Sequence, residues 1–261
     1  MTTIVDIPWH ILALFFSCLV IPLAINSYYQ LGIAKDSVIS VARMTIQLIL
    51  VGLYLQYLFE LDSLLVNLVW LLVMISIGAS SILDKAKLPK SALFLPVFIG
   101  LFVGLAPILI ILCFAIIKPT PLYNAQYVIP LAGMLLGNSL GGNIIVLQNF
   151  YSALEERKSE YEAAIALGAS IHYATLPFLR AAVSKSLAPT LASMATSGLV
   201  TLPGMMTGQI LSGTDPLIAI KYQLMIMIAI FVMISVSTIV TLNLAIKKTI
   251  HPHGRVRVRF S

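Results

Sequence analysis

Long apolar stretches separated by short groups of charged residues dominate the pattern of this chain. Each stretch exceeds the roughly 18 residues that an α-helix needs to cross the hydrocarbon core of a bilayer. Apolar runs of this length predict membrane-spanning helices rather than strands. Six stretches contain no charged residue: 7–34, 63–83, 91–117, 119–154, 186–214 and 222–246.

A seventh apolar stretch, residues 37–59, contains a single charged residue, Arg43. Its length and apolar character also predict a spanning helix. The chain is therefore predicted to be an all-α, polytopic membrane protein of about seven transmembrane helices. The connections are too short for a separate soluble unit, so residues 1–261 are expected to form a single domain.

Composition excludes a soluble protein. The 261 residues are 59% hydrophobic and only 10% charged, with a mean hydropathy of +1.00, whereas soluble domains carry about 25% charged residues. The net charge of +6 does not indicate nucleic-acid binding, because the basic residues lie in short segments between apolar spans. There they report orientation in the membrane.

The basic residues are distributed unequally between the two sides that seven crossings define. Thirteen of the 16 lie on one side and only Lys118 and Lys221 on the other, with Arg43 inside a span. By the positive-inside rule the amino end is predicted outside and the carboxyl end in the cytoplasm. Residues 155–185 then form the largest cytoplasmic connection, and residues 247–261 form a basic cytoplasmic tail that is attracted to anionic lipids.

Residues 155–185 have the pattern of two short helices joined by a turn. A charged start is followed by an Ala-rich run, Gly168 stands where a C-terminal cap is expected, and Ser170 is placed to cap a second helix. The segment resembles the cytoplasmic coupling loop of ABC transporter permeases. The matching positions are Glu162, Ala163, Ala164, Gly168, Leu176 and Pro177.

The Leu-Pro pair lies about four residues closer to the glycine than is usual in that pattern. The resemblance therefore predicts a second coupling helix about one turn shorter than usual. In permeases, such a loop fits a groove on the ATPase subunit and passes that subunit's motion to the spanning helices. An ordinary helical hairpin at the membrane surface is the alternative.

Three further blocks carry a resemblance to one family: VARMTIQLILVGLYL at 41–55, IPLAGMLLGNSLGGN at 129–143, and GLVTLPGMMTGQILSGTDPLIAIKYQ at 198–223. Together they resemble the FetB family of ABC exporter permeases, linked to iron export and related to plant aluminium-tolerance permeases. The resemblance implies a multi-pass permease of the cell inner (plasma) membrane that forms a homodimer.

The same resemblance implies a separate ABC ATPase subunit as partner. The chain has no GxxxxGK[ST] loop with which to cradle phosphates. No cofactor is therefore expected in this chain, which is not itself an enzyme, and ATP and Mg are expected on the partner subunit.

The stretch 186–214 contains the first candidates for a substrate pathway. Pro203 and Gly204 are expected to break the helix in mid-membrane, which frees carbonyl groups that are tolerated only beside a cavity or other helices. Met205, Met206 and Gln209 follow the break. They offer a thioether or an amide to a substrate, or else fill a packed core. No metal ligand set is assigned, because no span contains a carboxylate and Fe(II) prefers carboxylate or imidazole to Met.

Arg43 and Gln47 lie four residues apart and therefore on one helix face. An intramembrane Arg is expected to face the protein interior or to extend its side chain to the cytoplasmic headgroups. No carboxylate inside a span is available to pair with it. Arg43 therefore favours a chelated or anionic substrate over a bare cation.

The stretch 119–154 carries glycines four residues apart at Gly133, Gly137 and Gly141. Such a ridge is typical of close helix packing in membranes. Polar side chains on the same stretch are expected to line a pore or to bond between helices. They are Asn138, Asn143 and Gln148.

The function predicted from these features is the membrane subunit of an ATP-driven exporter of iron or a related metal. One alternative is ABC export of an anionic or conjugated small molecule. Another is a secondary transporter without an ATPase, although the spans lack the acidic groups that proton coupling would use.

Overall fold

The computed structural model describes residues 7–251, which are helical almost throughout. A 3₁₀ turn, Phe16–Leu19, joins the first two helices, and a π-helical turn, Leu112–Ile117, extends α5. The α-helices are α1 (Trp9–Phe15), α2 (Val20–Tyr29), α3 (Ala34–Leu61), α4 (Leu64–Ala86), α5 (Lys90–Ile111), α6 (Ala125–Glu156), α7 (Lys158–Ala166), α8 (Ile171–Thr196), α9 (Gly204–Leu211) and α10 (Pro216–Thr249).

Within residues 7–251, six helices are long and apolar enough to cross a membrane, by length and composition. The prediction of an all-α, polytopic membrane protein is therefore confirmed. The predicted count of about seven differs from six at one place, the stretch 186–214. The six helices are Trp9–Tyr29, Ala34–Leu61, Leu64–Ala86, Lys90–Ile117, Ala125–Glu156 and Pro216–Thr249.

The stretch 186–214 is not one continuous helix. Helix α8 ends at Thr196, residues 197–203 are non-helical, and α9 begins at Gly204. Gly198 adopts a φ of +88°, which ends the helix, and Pro203 lacks the N–H that a continuing helix would need. The predicted break near Pro203 and Gly204 is therefore present, but it begins at residue 197, nearly two helical turns before those two residues.

Helix α8 also corrects the predicted helix pair at 155–185. The first helix, α7, is short, as expected. The second is not a separate surface helix, because α8 runs from Ile171 without interruption into the apolar stretch and ends at Thr196. Pro177 and Pro189 lie inside it without ending it. Helix α8 therefore connects the turn after α7 directly to the apolar part of the molecule.

The core is built from α5, α6 and α10, with α4 and α8 packed around them. Close approach of α10 depends on three glycines. A Cβ on Gly100 would lie 2.0 Å from Thr241 Oγ1, one on Gly104 would lie 3.1 Å from the Met233 carbonyl oxygen, and one on Gly142 would lie 2.7 Å from Ile234 Cγ2. A larger residue at any of these three positions would crowd atoms of α10.

The predicted glycine ridge on the stretch 119–154 does not receive another helix within the chain. Gly133 approaches only Met74 Cε, at 3.4 Å, and nothing within the described residues lies within 4 Å of a Cβ built on Gly137 or Gly141. The ridge faces outward because the core-facing side of α6 carries Leu135, Ser139 and neighbouring buried residues instead.

Helices α1 to α3 stand apart from this core. Within α3 only Leu58 is buried, where it packs against Ala125 and Ile129 of α6. Nearby, the Asp62 carboxylate accepts a hydrogen bond of 2.9 Å from the Ala125 N–H. Between the 3₁₀ turn, α2 and α3 lies an apolar cleft of about 380 Å³. Half-buried residues near Leu58, such as Tyr54, also pack against the cluster of Leu58, Ala125 and Ile129, whereas the first half of α3 is largely exposed.

The assignment of residues 1–261 to one domain stays a prediction. The basic tail also lies mostly beyond the described residues, since the description ends at His251. Amino-out, carboxyl-in orientation likewise remains an expectation from the distribution of Lys and Arg.

Candidate functional site

The first candidate site is an elbow where α6, α7 and α8 meet. Arg157 is the single residue between α6 and α7, and it caps both helices. Its Nε donates a hydrogen bond of 2.9 Å to Glu160 Oε1, and its Nη2 pairs with the other carboxylate oxygen. The guanidinium carbon lies 5.1 Å from the centroid of the buried Phe178 ring in α8. Arg157 therefore contacts all three helices of the elbow.

The ion pair at the elbow is fully ionised near neutral pH. Hydrogen bonding to Arg157 lowers the pKa of Glu160, and hydrogen bonding to Glu160 raises the pKa of Arg157. A depressed carboxylate pKa stabilises the folded state above the unfolded-state pKa, and this contribution is lost as pH falls through the folded-state pKa. This ion pair is therefore retained throughout the neutral pH range.

The turn between α7 and α8 forms as its sequence predicts. Gly168 adopts a φ of +89°, and the Ala169 N–H donates to the Ala164 carbonyl at 3.0 Å. The Ser170 hydroxyl accepts from the Tyr173 N–H at 3.4 Å and caps α8. A left-handed glycine followed by a serine cap produces a sharp reversal.

The predicted coupling residues divide between the two sides of α7. Glu162, Ala163 and Gly168 are exposed, whereas Ala164 packs against the core. The side chain of Leu167, in the turn, is 89% exposed. On α8, Leu176 is half-buried and Pro177 is exposed.

Sequence reasoning missed Arg157, Phe178 and Leu167 in this elbow. Phe178 directly follows the Leu-Pro pair, which is the only signal that marked it. Tyr161 was also missed, and its side chain is buried in the core on the inner face of α7. Together Tyr161 and Arg157 hold α7 against the bundle, and the opposite face of α7 is exposed.

The second candidate site is the break between α8 and α9. The Thr196 carbonyl accepts from the N–H groups of Leu199, Val200 and Thr201, and the Thr201 carbonyl accepts from Gly198 at 2.9 Å. These bonds close a tight turn after α8. Pro203 then caps α9 and Gly204 is its first residue.

The side chains that follow the break lie on a short helix packed against α10. Met205 packs against the core, and Met206 and Gln209 are half-buried. Gln209 Oε1 is buried and has no hydrogen-bond partner among the described residues. The same holds for Gln223 Oε1 on α10, which sequence reasoning did not single out.

Arg43 and Gln47 are exposed on α3 and are not brought together with the break in this chain. Neither side chain has a hydrogen bond or an ion pair within residues 7–251. Asn138 is also exposed, on the open face of α6, where its Nδ2 donates to the Met134 carbonyl at 2.8 Å. These three polar groups therefore lie on the surface of the single chain.

Asn143 and Gln148, in contrast, bond between helices. Buried Asn143 donates to Ser237 Oγ at 2.9 Å and accepts from Thr241 Oγ1 at 3.3 Å, which joins α6 to α10. Gln148 Nε2 donates to the Lys85 carbonyl at 3.0 Å, which joins α6 to the end of α4. Of the two roles left open for these side chains, the structure shows interhelical bonding.

Within residues 7–251 no group of three or more His, Cys, Asp and Glu side chains is placed to hold a metal ion. The donors at the break are instead thioether sulfur and amide oxygen.

The bundle of long apolar helices, with its broken segment and its elbow, defines a polytopic helical membrane protein. The chain belongs to the uncharacterised protein family UPF0014, whose family model matches residues 9–250. This match confirms the family resemblance seen in the three sequence blocks.

Three similar proteins cover most of this chain. The UPF0014 membrane protein slr1647 of Synechocystis is 31% identical, over 98% of each chain. The Escherichia coli protein named "Probable iron export permease protein FetB" is 33% identical, over 91% of this chain and 90% of its own. Protein ALUMINUM SENSITIVE 3 of Arabidopsis thaliana is 31% identical, over 78% of this chain and 73% of its own. No solved structure matches the chain.

Proposed function

We propose that the chain is the membrane-spanning permease subunit of an ATP-driven ABC exporter, which carries iron or a related metal out of the cytoplasm across the inner (plasma) membrane. The similarity to a protein named as a probable iron export permease supports transport and suggests the cargo. The observation that supports coupling to an ATPase is the structure of the elbow. Its outer side is exposed, and its inner side is anchored to the bundle.

The partner in this proposal is a separate ABC ATPase subunit that binds ATP and Mg. It docks on the exposed face of α7 and the following turn, around Glu162, Ala163 and Gly168. Leu167 enters an apolar groove on the ATPase, because a side chain that is 89% exposed has most of its surface left to bury. Rigid-body motion of the ATPase then moves α7, and Arg157 and Tyr161 pass this motion to α6 and α8.

The substrate pathway in this proposal runs beside the break between α8 and α9, in a homodimer of the permease. Broken helices in transporters present unpaired backbone carbonyls and helix ends to a substrate. Met205, Met206 and the buried, unpaired oxygen of Gln209 lie just beyond the break. These donors suit a partly dehydrated or chelated metal better than a tightly held bare ion.

Export of an anionic or conjugated small molecule is the second candidate, and Arg43 favours it. Arg43 is a cation on a membrane helix, and the apolar stretch around it, residues 37–59, contains no carboxylate to neutralise it. Uptake assays with ferrous iron alone and with an anionic iron chelate separate the two candidates. ATP-dependent uptake of the chelate, without uptake of ferrous iron alone, would support the second candidate.

The test uses inverted membrane vesicles that contain the chain and its ATPase subunit. ATP is expected to drive accumulation of labelled iron in these vesicles. Leu167→Ser should weaken binding of the ATPase by about 1.5–3 kcal/mol, the free energy of burying a leucine side chain, and should reduce transport accordingly.

Leu217→Ser is the matched control, because Leu217 is 70% exposed at the far end of the bundle, at the start of α10. It should leave ATPase binding unchanged. Iron accumulation that needs neither ATP nor the ATPase subunit would contradict the proposal, and so would normal ATPase binding by the Leu167→Ser variant.

A further inference from the structure

We infer that a second copy of the chain packs its α3 onto the break formed by residues 197–203, with Arg43 and Gln47 donating hydrogen bonds to the carbonyl groups of the break. The inference rests on the homodimer of the proposed function and names the surface through which the two copies meet.

The break lies at the middle of the uncharged stretch 186–214. The last charged residue before it is Lys185 and the next after it is Asp215, so that Ser197 and Pro203 are each twelve residues from a charge. At 1.5 Å per residue, the end of α8 is about 16 Å deeper than Lys185, roughly half of a 30 Å hydrocarbon core. The end of α8 and the turn after it therefore stand near the bilayer centre.

The backbone of this turn does not suit lipid. The carbonyls of Ser197, Gly198, Leu199 and Val200 accept no hydrogen bond from any described residue. Irregular backbone at this depth is found where it is buried in protein or lines a water-filled cavity, because lipid tails offer no donors.

The side chains of the turn do not suit water. Leu199 is 91% exposed and Val200 is 79% exposed, and Leu202 is also exposed. Lipid would suit these side chains and water would suit the carbonyls, but neither suits both. A protein surface that combines apolar side chains with hydrogen-bond donors matches both groups.

Such a surface exists on α3. The beginnings of α3 and α8 lie on the same side of the bundle, because the end of α3 meets the start of α6 at Ala125 and the start of α8 meets the end of α6 at Arg157. Counted from Lys35, Arg43 is about 12 Å deep and Gln47 about 18 Å deep. The depth of the end of α8, about 16 Å, lies between these two values.

The charges are also complementary. The C-terminal end of α8 is the negative end of a helix dipole, and its unpaired carbonyls add to that potential. Arg43 carries five N–H donors and a positive charge, and it has no partner among the described residues. The surrounding side chains of α3, such as Ile39, Ile46 and Leu50, are apolar and exposed, and they suit Leu199 and Val200.

The occupant is a second copy because α3 of the same chain is fastened elsewhere. Leu58 and Asp62 hold its outer end against α6, and the inner part stands away from the bundle. Two copies related by a two-fold axis can exchange this contact, with each α3 on the partner's break, so that both unpaired surfaces are covered by one symmetric arrangement.

The test is disulfide cross-linking between two differently tagged copies in native membranes. One copy carries Gln47→Cys and the other Leu199→Cys, both in a background of Cys18→Ala and Cys113→Ala. A cross-link between the two tags is expected. Ile77→Cys, at a position that is 63% exposed on α4, replaces Leu199→Cys as the control and should give only background. Val200→Cys serves as a second site if Leu199→Cys does not accumulate.

The contribution of Arg43 is tested in the copy that carries Gln47→Cys. Arg43→Leu should reduce the cross-link to the level of the control pair, and Arg43→Lys should retain part of it, because Lys keeps the charge and some donors. A cross-link that is unaffected by Arg43→Leu would overturn the assigned role of Arg43.

Two outcomes would overturn the interface itself. One is a cross-link that forms only when both cysteines are in the same copy, which would show that α3 covers its own break. The other is a nitroxide label at position 199 that is relaxed by oxygen from the lipid or by a water-soluble nickel chelate, since a position under a second copy should be protected from both. Because neither measurement uses ATP, iron or the ATPase, they test the interface independently of transport.

Discussion

At the residue scale, the polar side chains of the spans differ in their partners rather than in their type. Asn138 and Asn143 lie on the same helix five residues apart. Asn143 is fully buried and bonds to Ser237 and Thr241, whereas Asn138 is exposed and bonds only to the backbone of its own helix. Nothing in their sequence surroundings distinguishes the two roles, because the difference depends on where α10 lies.

Asn143→Ala should lower the free energy of unfolding by about 1–2 kcal/mol, since it removes two hydrogen bonds between α6 and α10. Asn138→Ala is the control and should change it by less than about 0.5 kcal/mol. Denaturant titration of the purified protein in mild detergent measures both. Equal effects of the two substitutions would show that the bonds to α10 contribute nothing.

At the element scale, close packing of the helices depends on Gly100 and Gly104, a pair four residues apart that sequence reasoning did not single out, rather than on the longer ridge of α6. The ridge of Gly133, Gly137 and Gly141 is largely open, and Gly100 and Gly104 of α5 instead receive α10. A small residue permits close approach, but only the arrangement of the helices decides which small residue is used.

Gly100→Ala should therefore destabilise the fold by about 1–3 kcal/mol, because its methyl group would overlap Thr241 Oγ1 and the Ser237 carbonyl oxygen. Gly137→Ala should be neutral or stabilise the single chain by up to about 1 kcal/mol, through the higher helix propensity of Ala. Thermal unfolding in a detergent that keeps the chain monomeric compares the two. A Gly100→Ala variant as stable as the parent would refute the packing of α5 against α10.

At the scale of the whole molecule, Arg157 and the buried Tyr161 connect the elbow to the bundle. Arg157 joins α6 and α7 and lies over Phe178 of α8. In the proposed transporter, this contact passes motion from the ATPase to the helix that leads to the break. Of the predicted coupling residues on α7, only Ala164 packs against the core, whereas Glu162 and Ala163 are exposed on the outer side.

Arg157→Ala is expected to uncouple ATP hydrolysis from transport. The ATPase should still bind, because the outer face of α7 is unchanged, but transport per ATP should fall by a factor of about two to five, the range that a surface cation–π contact supports. Lys158→Ala, which removes only an exposed pair with Glu162, is the control. Parallel assays of phosphate release and iron accumulation measure the ratio, and an unchanged ratio in the Arg157→Ala variant would contradict the role.

By itself, the sequence was sufficient for the membrane class, the approximate positions of most helices, the interruption near Pro203 and the turn at Gly168 and Ser170. These features depend on local properties: apolar length, the missing N–H of proline and the left-handed conformation open to glycine. Only the tertiary structure decided that α8 continues from the elbow into the apolar stretch, that Asn143 is buried while Arg43 and Asn138 are exposed, and that Gly100 rather than Gly137 receives another helix. Those features depend on which faces of distant segments meet, and an almost uniformly apolar chain carries little periodicity to mark its inward faces.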